Sequence, residues 1–363
     1  MFGAGRVAAS SGVLLGESLL RLAVTAFVSF WIAQQLGPAA FGVLNFASAL
    51  MAIFLGLASL GLDVPATLRL TRESKAGELL GTLVAMRLLA GLAGFAAMLV
   101  VATLLRRDEP IALAVTMIVA LAIVGYAPSV FDLWFKANVE AGPPALMRLA
   151  STLLSAGAKI ACLALDAGVI ALAWTIVLEA VLSSALLWLA WWRAPRRREG
   201  GPIRADPRTA RDLARESWPY LLSTVAVILT MKQDVVFLGA MADDAETGVY
   251  ALVQKLSEVL FIVPVVLVDS VYPALARRQH LDASADAGGQ LMFDVAVAGA
   301  TLAVVAGLVL GPMAIALVFG PRYEAAMPLF QLHAWTCVAV AIGAARHRWL
   351  GMVGLQRHAP TLA

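Results

Sequence analysis

Apolar residues run through this chain in ten long stretches, separated by short polar or basic turns. They lie at 13–35, 42–62, 79–104, 111–131, 146–165, 167–192, 217–241, 247–270, 288–310 and 325–345. As helices, all are long enough to cross a hydrocarbon core of roughly 30 Å. The pattern predicts an all-α polytopic membrane protein of about ten transmembrane helices. One long polar run interrupts it, Arg193–Arg215, with eight arginines in 23 residues. It divides the chain into an N-terminal six-helix bundle (1–192), a basic linker (193–216) and a C-terminal part with four stretches (217–363). A shift of 206 residues lays Gly42-Val43 on Gly248-Val249, Leu50 on Leu256, Asp63 on Asp269 and Arg72 on Arg278. The two segments run the same way across the bilayer, as in a parallel pseudo-repeat about an axis normal to the membrane.

Charge orients this arrangement. With the N-terminus inside, the even-numbered loops and both tails carry most of the Lys and Arg, against Arg106, Arg107 and Arg322 outside. Basic residues near span ends stay cytoplasmic, so both termini are expected on the cytoplasmic side of the inner membrane. Trp188, Trp191, Trp192 and Trp218 crowd the inner ends of two spans, while Trp31 and Trp174 sit near the outer boundary, as interfacial anchors do. Asp206-Pro207 reads as a helix start. Arg208, Arg211 and Arg215 then share one helical face, facing anionic headgroups or serving as a mechanical link between the halves.

Composition agrees: 61% of the residues are hydrophobic and 14% charged, where soluble domains carry about 25%. The net charge of +3 is accounted for by cytoplasmic loops, and no nucleic-acid partner is expected. Cys162 and Cys337 are isolated, without a disulfide or metal pattern. The first apolar run has no small-residue cleavage site after it and reads as a transmembrane helix. His280, His333, His347 and His358 lie at span ends or in loops with no acidic cluster near them, and no phosphate-binding glycine loop is present. A transporter is expected, with no catalytic residue and no metal.

Charges within the spans carry the chemistry, because each costs about 2.5–3.5 kcal/mol to insert unless it meets a partner or water. Glu17 and Arg21 are four apart, and Lys255 and Glu258 three apart, so each pair can share a face. Glu17 and Lys255 are therefore read as structural ion-pair members. Arg87 and Lys159 have no charged residue at the pairing positions of their own helices, and Lys232 and Asp234 point roughly 200° apart. Arg21 and Arg87 lie about 12 Å from the inner ends of their spans, with Lys159 somewhat deeper. These cations could line an inward-facing cavity suited to a diphosphate, or each could find an acidic partner such as Glu179. The glycines at 56–61 and Gly91-Leu92-Ala93-Gly94 are read as permitting close helix packing.

Several segments carry a family resemblance. Leu36-Gly37-Pro38-Ala39-Ala40-Phe41-Gly42, then Leu60-Gly61-Leu62 and Arg69, resemble the opening of the polysaccharide transporter (O-antigen flippase) family. Lys232-Gln233-Asp234, Glu246-Thr247-Gly248-Val249-Tyr250-Ala251, Pro264, Tyr272-Pro273-Ala274-Leu275 and Phe319-Gly320-Pro321-Arg322-Tyr323-Glu324-Ala325-Ala326 are similar to its second half. The family belongs with multidrug and toxin extrusion transporters and lipid II flippases. The resemblance implies a V-shaped pair of helix bundles moving a polyprenyl-diphosphate-linked oligosaccharide (an O-antigen, capsule or exopolysaccharide unit) to the outer leaflet by alternating access. It implies Arg21, Arg87, Lys159 and Lys232 as contacts for the anionic headgroup. Asp234 and Glu258 are the coupling candidates for H⁺ or Na⁺, with no other cofactor. Its partners are the lipid-linked glycan, the bilayer and polysaccharide-biosynthesis machinery. The family usually has twelve or fourteen spans, so with ten the second bundle is expected to fall short of the full set. The alternatives are a cation-coupled multidrug exporter of the same fold and a non-transporting scaffold whose arginine loop recruits biosynthetic enzymes.

Overall fold

The computed structural model describes residues 4–72, 76–194, 201–279 and 285–352, with side chains described from 16 to 350 apart from 73–75, 195–200, 273–274 and 276–287. Arg196, Arg197 and Arg198 of the basic run, His280 and His358 lie outside the described residues, as do the side chains of Pro273, Ala274 and Arg278. Every regular element among the described residues is a helix. Among the described residues, nine helical runs are long and apolar enough to cross a membrane. The first of them carries two of the expected spans, so the nine runs account for all ten.

That first run is α1 (Ala4–Ala58), bent where Gly37 takes φ 76° ahead of Pro38. Glycine enters the left-handed region without a Cβ penalty, and proline brings no N–H to continue the ladder, so the helix turns between its two spans. At its end Leu60 (φ 54°) and Gly61 (φ 63°) make a left-handed corner. The Ser59 hydroxyl donates to Gly56 O (2.7 Å) and accepts from the Gly61 N–H (3.3 Å). The corner launches the short helix α2 (Asp63–Arg72). α3 (Ala76–Leu105) and α4 (Pro110–Gly125) follow. The fourth expected span does not end as one helix. Pro128 lies in a 3₁₀ turn, Ala127–Val130, which hands the chain to α5 (Phe131–Ala137). α6 (Gly142–Ala164) and α7 (Gly168–Arg193) form a hairpin.

By its contacts the chain divides into two compact units, Met1–Thr247 and Gly248–Ala363. α8 (Pro207–Met241) packs within the first unit, chiefly on α1. It starts at the predicted place: Asp206 accepts from the Thr209 N–H (2.8 Å) and hydroxyl (2.7 Å). Those bonds, the backbone one foremost, hold the Asp206 carboxyl below the usual carboxylate range. The Asp206 N–H in turn donates to Thr82 Oγ1 (3.0 Å), and a Cβ on Gly81 would strike the backbone of Arg204. The end of the basic linker is therefore seated on α3. Arg208, Arg211 and Arg215 are exposed. Trp188, Trp192, Trp218 and Trp174 are about half exposed, but Trp191 is buried against Phe131 (ring centroids 4.8 Å apart) and belongs to the core.

Close packing of α8 on α1 depends on glycines. A Cβ on Gly61 would meet the backbone N of Leu221, with Ser217 O 2.7 Å away. Backbone cannot swing aside as a side-chain tip can, and φ is already left-handed. Gly61→Ala is expected to destabilise the protein by about 2 kcal/mol, read as a lower thermal midpoint in detergent. Gly142→Ala, with open space at its Cβ, should leave the midpoint unchanged.

In the second unit, α9 (Asp244–Gln279) continues from the first, followed by α10 (Ala285–Ala314). A π turn (Ile315–Phe319), a 3₁₀ turn (Gly320–Tyr323), α11 (Ala326–His333) and α12 (Thr336–Met352) complete it. Its core sets small residues of α10 (Ala296, Ala300, Ala303) against those of α12 (Cys337, Ala341, Ala345). Small side chains let lipid-embedded helices approach closely. Both cysteines are free.

Candidate functional site

Six helices and the turn after α4 converge on a cavity of about 260 Å³ in the first unit. α1 contributes Arg21, α2 Asp63, α3 Arg87, α5 Asp132 and Lys136, α6 Arg148 and α7 Glu179; Tyr126 and Ser129 come from the α4–α5 turn. The elements explain why these groups meet. The left-handed corner ends α1 so that Asp63 opens α2, and the turn at Pro128 places Ser129 within 3.1 Å of Arg87 Nη1.

Four cations thus face three carboxylates on the wall, and nearly every charge is matched. Arg87 Nη2 donates to Asp63 Oδ1. Arg21 Nε donates to Glu17 Oε1 at 3.2 Å. Arg148 bridges Asp132 and Glu17, its Nη2 lying 3.4 Å from Glu17 Oε2. Lys136 reaches Asp132 Oδ2 at 2.8 Å. Glu17, with a side chain only 5% exposed, sits behind the wall and receives both Arg21 and Arg148. On the far side Lys159 Nζ donates to Glu179 Oε2 (2.7 Å), which also accepts from Ser155 (2.8 Å). Buried ions held this way avoid the cost of standing unpaired in low dielectric.

Of the residues singled out from sequence, Arg21 and Arg87 line this cavity, and Glu17 pairs with Arg21 as its four-residue spacing predicts. Lys159 lies one ion pair away through Glu179, the acidic partner considered for it. Lys232 and Asp234 are half-buried on α8 and are not among the lining residues. Lys255 and Glu258 lie on α9 in the second unit, the first half-buried and the second exposed. Sequence reasoning missed Asp63, Tyr126, Ser129, Asp132, Lys136 and Arg148 as members of the site. A signal for the turn residues was present: Pro128 breaks the fourth stretch, and Asp132 and Lys136 follow it four apart.

A second, more apolar cavity of about 160 Å³ adjoins the first. Leu55, Ala58, Ile123 and Ala127 line it, and it shares Asp63, Arg87, Tyr126 and Ser129 with the charged one.

A family described as polysaccharide biosynthesis protein matches residues 11–279. No curated protein sequence matches the chain. Among solved structures, the chain is similar to the lipid II flippase MurJ in an inward closed conformation, with TM-score 0.69 and 10% identity, covering 93% of this chain and 75% of that one. It is similar to the eukaryotic MATE transporter AtDTX14 (TM-score 0.67, 12% identity, 96% of this chain and 83% of that one). It also resembles an inward-facing multidrug resistance MATE family transporter of the MOP superfamily (TM-score 0.65, 14% identity, 92% and 81%). At these identities the likeness is one of fold.

Proposed function

This chain belongs to the polysaccharide biosynthesis protein family, and from that membership we propose that it is a flippase for a polyprenyl-diphosphate-linked oligosaccharide. It carries an O-antigen, capsule or exopolysaccharide unit from the inner to the outer leaflet of the cytoplasmic membrane by alternating access, with both termini cytoplasmic. The observation that supports this reading is the charged cavity of the first unit, where Arg21, Arg87 and Arg148 come together from three helices. Guanidinium groups suit a diphosphate because their planar fork can give two parallel hydrogen bonds to phosphate oxygens. Lys159 supports the wall through Glu179, and Lys232 is a further headgroup contact on α8. Asp234 and Glu258 are the proposed coupling carboxylates for H⁺ or Na⁺.

A second reading, export of a cationic drug, has in its favour the carboxylates Asp63, Asp132 and Glu179 on the same wall. One experiment separates the two. Deleting the gene is expected to cause lipid-linked oligosaccharide to accumulate in the inner leaflet, with restoration by the intact chain and unchanged tolerance of cationic dyes. Loss of dye efflux with no accumulated intermediate would sink the flippase reading.

A further inference from the structure

The Arg87–Asp63 pair differs from every other ion pair around the cavity. Elsewhere the carboxylate is largely enclosed. Glu17 is 5% exposed, Asp132 14% and Glu179 26%, and each is held by at least two groups. Here the carboxylate is open to water: the Arg87 side chain is 11% exposed and that of Asp63 62%. Arg87 is fixed by α3 and by Ser129, whereas the Asp63 carboxylate has Arg87 as its one hydrogen-bonded partner among the described residues. The Arg87 Nε is buried with no hydrogen-bond partner among the described residues, so the guanidinium has donor capacity beyond what Asp63 and Ser129 use. A rigid cation and a loosely tethered, water-accessible anion form an exchangeable pair.

The pair also stands at a boundary. Asp63 and Arg87 line both the charged cavity and the apolar one beside it. An anion that took the place of Asp63 on Arg87 would free that side chain to swing into water and leave the boundary between the two spaces. A phosphate attached directly to hydrocarbon matches this juxtaposition, its oxygens on Arg87 and its first carbons against Leu55, Ala58 and Ile123.

We infer that Asp63 is an internal counter-ion that occupies the anion site of Arg87 until the substrate phosphate displaces it, and that its displacement joins the charged and apolar cavities. This rests on the anion-binding reading of the cavity. A self-occupied site lowers apparent affinity by the fraction of time it is open, which discriminates against weak anions that cannot displace the carboxylate.

The test is calorimetric binding of inorganic pyrophosphate and of geranyl diphosphate to the purified full chain in detergent. Asp63→Asn is expected to bind pyrophosphate about tenfold more tightly than the unaltered protein, Asp63→Glu to stay within about twofold of it, and Arg87→Ala to lose binding. Asp63→Ser serves in place of Asp63→Asn should the latter elute as aggregate. Geranyl diphosphate should bind the unaltered protein more tightly than pyrophosphate does. Equal affinities for Asp63→Asn and the unaltered protein, with binding lost in Arg87→Ala, would overturn the counter-ion and leave the anion site standing. Pyrophosphate binding that survives in Arg87→Ala would overturn both. No advantage for geranyl diphosphate would remove the joining of the two cavities.

Discussion

Arg87→Ala is expected to lower the rate of lipid-linked oligosaccharide translocation by about 100-fold, enough to abolish complementation of a deletion strain. The magnitude follows from two losses. A hydrogen bond between a charged donor and phosphate contributes about 1.5–3 kcal/mol, and tenfold corresponds to about 1.4 kcal/mol. Truncation also leaves the Asp63 carboxylate facing the site without its cation, where it repels the diphosphate. Arg87→Lys keeps the charge but loses the fork, and about a tenfold reduction is expected. Arg21→Ala should be milder than Arg87→Ala, because the Arg21 side chain is 47% exposed and its partner Glu17 keeps Arg148. Folding is controlled by the elution profile and thermal midpoint, which Arg87→Ala should change little, since the carboxylate it abandons is already in contact with water. Translocation within twofold of normal in a correctly folded Arg87→Ala protein would remove this cavity from the transport path.

What could be read from the sequence divides along physical lines. Features set by local rules were readable: the ten apolar stretches, the Asp206 cap on α8 and the four-residue Glu17–Arg21 pair. Each depends on residues within a turn or two of one another. The site was readable only in part, because its composition depends on which helices meet. Arg87 and Lys159 announced themselves as buried cations without local partners, and that inference offered Glu179 as an acidic partner but did not reach Asp63. Asp63, Asp132 and Arg148 sit at or near the ends of apolar stretches, where a charge is unremarkable by composition. The corner at Leu60–Gly61 and the turn at Pro128 bring Asp63 and Asp132 to the wall, and Arg148 reaches it from α6. An expected cluster of cations therefore emerges as a charge-matched network. Trp191 fails in the same way. Its position at a span end marks it as an anchor, and its contact with Phe131 makes it core.

Arg106 shows how far tertiary contact can override a reading from loop position. At the end of α3, in a loop where a cation would be expected in water, it is 3% exposed. Its guanidinium lies over the Phe46 ring, 4.5 Å from the centroid, and donates to Glu109 and to Asp244 Oδ1 (2.7 Å for the latter). Asp244 opens α9 after Ala242 and Asp243, which follow the end of α8 at Met241, so the Arg106 side chain ties the α8–α9 corner to α1 and α3. At the other end of α8, Arg69 grips Glu216 through two hydrogen bonds (3.1 and 2.6 Å). That pair is more exposed and should contribute far less. Arg106→Ala removes the cation from a buried pair and opens space beneath Phe46. Breaking a buried pair costs about 3–5 kcal/mol, and the lower end applies because Glu109 and Asp244 retain some water. The expected loss is about 3 kcal/mol, seen as a large fall in thermal midpoint, while the exposed neighbour Arg107→Ala should shift stability by less than about 0.5 kcal/mol. Asp244→Ala should cost less than Arg106→Ala, and the double variant should be no worse than Arg106→Ala alone, because once the cation is gone the carboxylate has nothing left to hold. Strict additivity of the two substitutions would show that the pair does not bind the α8–α9 corner, and that Arg106 acts through Phe46 and its packing alone.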